Sequence, residues 1–154
     1  MPATDELGRS GEDLIALWIP TKGGRVLAQR WHCVIGEIDI IALNRSGDLI
    51  FIEVKTRSSH NIDQDGVLAV TRSKQIKLWK TAQLFLVKNP KHQSRNCRFD
   101  IALVQWQPVQ NQPVQSQPAH YPKTKRLSGF TRTFEKHEFI LINYLVHAFE
   151  QPML

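Results

Sequence analysis

The chain has little cysteine and no long apolar run. Its 154 residues include two cysteines, Cys33 and Cys97, far apart and without a Cys-x-x-Cys pair. No His spacing around them makes a zinc site, so neither a disulfide scaffold nor a structural metal is expected, and the thiols should be reduced. No stretch approaches the roughly 20 apolar residues of a membrane span. The N-terminus lacks the basic-then-apolar layout of a signal peptide, so a cytoplasmic location is expected and no membrane partner.

What is present suits one folded domain over residues 1–154. The apolar share is 42%, enough for a core at this length. The net charge is +6 with a pI near 9.6, which favours an anionic partner such as nucleic acid but also fits many ordinary basic proteins.

The organising stretch is Gly36 to Arg57, GEIDIIALNRSGDLIFIEVKTR. Two runs rich in Ile, Val and Phe flank Asn44-Arg45-Ser46-Gly47-Asp48, residue types that make tight reversals, so a β-hairpin is predicted. A turn centred on Ser46 sets Asp39 opposite Glu53, with Cβ atoms roughly 5 Å apart on one face. Alternation adds Lys55 to that face and turns Ile52 and Val54 away. An alternating charged strand is ordinarily solvated. These acids, however, are embedded among Ile38, Ile40, Ile41, Ile50, Phe51, Ile52 and Val54, as in central strands covered on both sides. Like charges held together there call for a proton or a cation, and Mg²⁺ suits one or two carboxylates plus phosphate oxygens.

Asp39, thirteen intervening residues and then Glu53-Val54-Lys55 resemble the PD-(D/E)XK motif of restriction-endonuclease-like nucleases, although Glu37-Ile38 stands where the Pro is usual. Five blocks in order resemble the YraN family: Gly8-Arg9-Ser10-Gly11-Glu12, Gly36 to Ala42, Phe51 to Arg57, Ala69 to Lys74 and Arg98-Phe99-Asp100. That family is described as similar to Holliday-junction resolvases. The resemblance implies an α/β fold with a restriction-endonuclease-like core, a central mixed sheet of about five strands flanked by helices. It also implies a metal-dependent endonuclease acting on DNA, branched or junction DNA included. Asp39 and Glu53 would bind Mg²⁺ or Mn²⁺, with the Val54 carbonyl as a further ligand. Lys55 would position water and stabilise developing charge. Glu12, at the family's Gly-x-x-Gly-Glu position, would serve the metal or the water, although a carboxylate in a first helical turn is also explained by the helix dipole. Lys74 would approach the phosphate. The other reading is a nucleic-acid-binding module that retains this fold without cutting.

Along the chain, residues 1–7 are expected to be loose. A helix capped near Ser10 is expected over Gly11–Ile19, ended by Pro20 and Gly23-Gly24. Arg25–Cys33 reads as a strand completing a meander with the hairpin, and its Arg30 as a phosphate contact. Thr56–Gly66 reads as a polar loop in which Arg57 is the first choice for holding a phosphate. Ser73–Lys88 reads as a helix carrying Ile76, Trp79, Leu84, Phe85 and Val87 on its apolar face. Cys97–Trp106 is expected as a buried strand, with Asp100 pairing with Arg98. The Gln/Pro-rich segment from Gln107 and the basic Lys123-Thr124-Lys125-Arg126 form a solvated insertion at about 107–126. Phe139–Leu145 reads as a last strand, with a C-terminal helix as the other option. No residue identifies a dimer interface.

Overall fold

The computed structural model describes residues 4–60, 70–109 and 129–151. Helix α1 (Thr4–Thr21) leads into strands β1 (Arg25–His32), β2 (Glu37–Leu43) and β3 (Leu49–Ser58). Helix α2 (Arg72–Lys88) follows, and then β4 (Cys97–Pro108), β5 (Thr131–Phe134) and β6 (His137–Phe149). The strands form one sheet in the order β1-β2-β3-β4-β6-β5. β3 and β4 are parallel and every other neighbouring pair is antiparallel, so the sheet is mixed, as expected, with six strands instead of about five. The extra strand is β5, whose Thr-Arg-Thr-Phe is too short and polar to announce itself. At a sheet edge such a sequence suffices, because one side needs no partner.

Each helix covers one face. Leu14, Ile15 and Ile19 of α1 meet Ile40, Ala42, Ile50, Ile52, Ala102, Val104, Phe139 and Leu141. On the opposite face Leu78, Ala82 and Phe85 of α2 meet Ile38, Ile41, Leu43, Leu49, Phe51 and Phe99. Two-sided burial is why β2 and β3 read as nearly continuous apolar runs.

Several boundaries differ from expectation. α1 starts at Thr4, before the Ser10 cap, because Leu7 also packs against the core. Pro20 stays inside its last turn, and the helix closes on Gly23 (φ 79), whose N–H donates to Pro20 O at 3.0 Å. The buried stripe of α2 is Leu78, Thr81, Ala82 and Phe85, while Val87 is 65% exposed. Thr56, Arg57 and Ser58 extend β3 instead of entering a loop, since β4 pairs with them through Ser58↔Trp106. Gln107 and Pro108 likewise belong to β4. Residues 61–66 of the expected loop and 110–126 of the Gln/Pro-rich insertion lie outside the described residues. Among the described residues no helix is long and apolar enough to cross a membrane.

Candidate functional site

The hairpin register runs Leu43↔Leu49, Ala42↔Ile50, Ile41↔Phe51 and Ile40↔Ile52. The next step would pair Asp39 with Glu53, and the one after it Ile38 with Val54. The ladder stops before both. β2 stays with β1 through Trp31↔Ile38, and β3 stays with β4 through Ser58, so the two central strands part. Asp39 enters the split: its Oδ2 accepts the Val54 N–H at 2.7 Å, the bond a continued ladder would have given to Ile38. Because a strand residue directs its N–H and C=O to the same edge, the Val54 carbonyl opens on this gap too.

Burial pushes the Asp39 carboxyl up to about 8, helped by the charges of Glu53 and Glu12 and opposed by the Val54 hydrogen bond and Lys74. Glu53 and Lys55 continue the row of Leu49 and Phe51 toward the α2 layer. The Glu53 side chain is 10% exposed and forms an ion pair with the Lys74 ammonium. Lys74 is placed by the start of α2, where the Thr71 side chain accepts the Lys74 N–H at 3.2 Å. Burial lowers the Lys55 ammonium's pKa; the Glu53 charge opposes this, and Lys74 and Arg57 add to it. Arg57 is exposed at the outer end of β3, its Nη1 donating to Thr56 O at 3.0 Å. Lys55 and Lys74 thus lie beside the acids, with Arg57 farther out along β3.

Glu12 arrives from α1. Gly11 makes this approach possible, since a Cβ there would lie 2.0 Å from Thr56 Oγ1 of β3. Burial raises the Glu12 carboxyl against the lowering effect of Arg30, and Glu37 and Asp13 raise it further. Arg30 turns toward α1, with Nε 2.6 Å from Glu12 Oε2. The structure therefore brings Glu12, Asp39, Glu53, Val54, Lys55, Lys74 and Arg57 around one end of the β2–β3 pair, with Arg30 behind Glu12. Glu37 and Asp13, whose charges act on Glu12, were not singled out in the sequence. Thr71, three residues before Lys74, carries the ordinary helix-start signal. Asp100 lies apart from the site: fully buried, it holds Arg98 Nε at 3.1 Å and Tyr144 Oη at 2.8 Å.

The donor set is oxygen only, two carboxylates and a backbone carbonyl, which fits a hard divalent cation and not zinc. No group of three or more His, Cys, Asp or Glu is gathered to hold a metal among the described residues. Such a cation would take its remaining ligands from water and a bound anion, as Mg²⁺ commonly does.

The architecture is thus a mixed α/β sheet between two helices, with an acid–lysine cluster at a strand split. The profile of the Uncharacterised protein family UPF0102 matches residues 11–104, and the chain belongs to that family. A UPF0102 protein of Trichodesmium erythraeum is 38% identical over 94% of this chain and 88% of its own length. Another, from Synechocystis sp., is 40% identical over 94% of this chain and 97% of its own. Among solved structures, a repair endonuclease from Pyrococcus abyssi is similar at 10% identity and a TM-score of 0.33, over 67% of this chain and 39% of that one. That likeness is too slight to inform function.

Proposed function

We propose that this protein is a metal-dependent endonuclease that hydrolyses phosphodiesters of DNA in the cytoplasm, with branched or junction DNA as its substrate. The observation that carries the reading is the Asp39 carboxyl in the strand split, bonded to the Val54 amide, largely buried and within the field of the Glu53 charge. Two acids whose proximity raises a proton affinity are costly to a fold, and that cost is repaid where a cation and an anionic substrate meet. Asp39, Glu53 and the Val54 carbonyl would hold Mg²⁺ or Mn²⁺, which when bound supplies Lewis acidity and a more acidic water.

The chain's own groups do the rest. Lys55, made less basic by burial, directs its ammonium toward the oxygens where negative charge grows during attack on phosphorus. Arg57 and Lys74 hold the flanking phosphate, adding a sequence-independent attraction. Glu12 orients the attacking water from the α1 side. The Lys74–Glu53 ion pair is the feature that favours the competing reading, a binding module whose acid is neutralised internally.

The two readings separate on labelled linear, forked and four-way DNA incubated with Mg²⁺, Mn²⁺ or EDTA. The nuclease reading expects cleavage that requires the metal and is fastest on a branched substrate. Salt-sensitive binding without cleavage of any substrate would leave the binding module.

A further inference from the structure

Arg30 has φ +51, in the left-handed region that a long L side chain adopts only at a cost. The kink has a geometric result. Ala28 faces the α2 layer and Gln29 faces α1, where its Nε2 reaches Asp13 Oδ1 at 3.1 Å. Regular alternation would send Arg30 to the α2 layer and Trp31 to the α1 layer. Instead, Trp31 packs edge-on against Phe85 of α2, with ring centroids 5.4 Å apart, and Arg30 joins Gln29 on the α1 side. The strained backbone is therefore what aims the guanidinium.

Once there, the guanidinium is anchored before it meets Glu12. Nη2 donates to Asp13 Oδ1 at 3.0 Å and to the Arg9 carbonyl at 3.0 Å, and Nε lies 2.6 Å from Glu12 Oε2 as an ion pair without an aligned hydrogen bond. Asp13 is the more exposed partner, at 45%, whereas Glu12 is 14% exposed. The fork is fixed by Asp13 and the Arg9 carbonyl and touches Glu12, the α1 carboxylate whose charge acts on Asp39. A residue meant to meet a DNA phosphate would keep that fork toward solvent.

We infer that Arg30 is a positioning residue: its strained backbone and its anchorage on Asp13 and Arg9 hold the Glu12 carboxylate in a fixed orientation toward Asp39. This rests on the nuclease reading above. It replaces a phosphate contact with an internal clamp, and it accounts for why β1 tolerates strain at a position with an easy regular alternative.

The test is a double-mutant cycle of Arg30→Asn and Glu12→Gln, read by single-turnover cleavage of a labelled four-way DNA junction with Mn²⁺ and by binding of that junction across a salt series. Asn suits the left-handed backbone, so Arg30→Asn, although it loses the ion pair to Glu12, should remain folded at the assay temperature, as its melting curve will show. Its cleavage rate should nevertheless fall about 10- to 100-fold, the range seen when an outer partner that orients a group at a metal site is removed. Junction affinity and its salt slope should not change, and the double variant should be no slower than Glu12→Gln alone. Arg30→Lys, which keeps a cation without the fork, should recover only part of the rate. A salt slope reduced by about one would make Arg30 a phosphate contact and overturn the inference. Additive rate losses would overturn it as well. A wild type inert on every DNA with metal would instead bring down the nuclease reading, an outcome distinct from both.

Discussion

The Val54 amide donates to Asp39 Oδ2 at 2.7 Å at the step where β2 leaves β3. An acid side chain thereby replaces a backbone carbonyl in the sheet's own hydrogen bonding. It is held half in the core with a second acid as neighbour, which sets up the pH behaviour of the metal-free protein.

Asp39 has its pKa raised from 3.8 to about 8 by burial and then by Glu53. Between those values the folded state keeps a proton that the unfolded chain has lost, so metal-free stability should fall as pH rises through this window. The slope is at most about 1.4 kcal/mol per pH unit. Asp39→Asn can still accept the Val54 N–H and has no proton to lose. It should melt close to wild type at the acid end and above it at the alkaline end. Melting curves at a series of pH values in EDTA check this, and parallel wild-type and variant profiles would refute it.

Lys55→Ala removes a cation and leaves both acids. Mn²⁺ affinity by calorimetry should hold or rise slightly, while cleavage slows by about two to three orders of magnitude. Wild-type cleavage by this variant would remove Lys55 from the chemistry and leave the acids in place.

Gly11→Ala tests how α1 brings Glu12 to the sheet. The new methyl would sit 2.0 Å from Thr56 Oγ1, so the helix must shift or the side chain must turn. A destabilisation of about 1–3 kcal/mol is expected in denaturant titrations, partly recovered by adding Thr56→Ala, whose smaller side chain lacks that oxygen. Gly8→Ala, with no atom within 4 Å of its Cβ, is the control and should be neutral or mildly stabilising.

Asp100 anchors β6 to β4. It is fully buried and accepts from Arg98 Nε, Tyr144 Oη and the His147 N–H, the last at 3.0 Å. Asp100→Ala leaves the Arg98 charge without its partner and should cost about 3–5 kcal/mol, whereas Tyr144→Phe should cost about 1 kcal/mol. Equal losses for the two would show that the carboxylate is not the hub.

Much of this was legible in the residues. Asn44 to Asp48 between two apolar runs gave away the hairpin and its register, because turn chemistry and period-two burial act locally. Asp39, Glu53 and Lys55 stood out as charges in runs that are otherwise core. The strand split did not, because nothing in Glu37-Ile38-Asp39 says where pairing ends; that depends on β2 following β1 while β3 follows β4. The direction of Arg30 was hidden for a similar reason. An Arg at positive φ carries no local mark, and only the three-dimensional placement of Asp13 and Arg9 reveals its direction. The apolar face of α2 was read from Ile76, Trp79, Leu84, Phe85 and Val87; Phe85 is buried and Trp79 packs against the same cluster, but Leu78 and Ala82 complete the buried stripe and Val87 is exposed.

A Mn²⁺ titration of the purified protein by calorimetry, run on wild type, Asp39→Asn and Glu53→Gln, tests the proposed cation site most directly. Saturable binding by wild type that weakens at least tenfold in both variants, with each variant still folded, is the predicted result. Mn²⁺ binding of the same strength in all three, or none in wild type, would contradict the claim that Asp39 and Glu53 form a cation site.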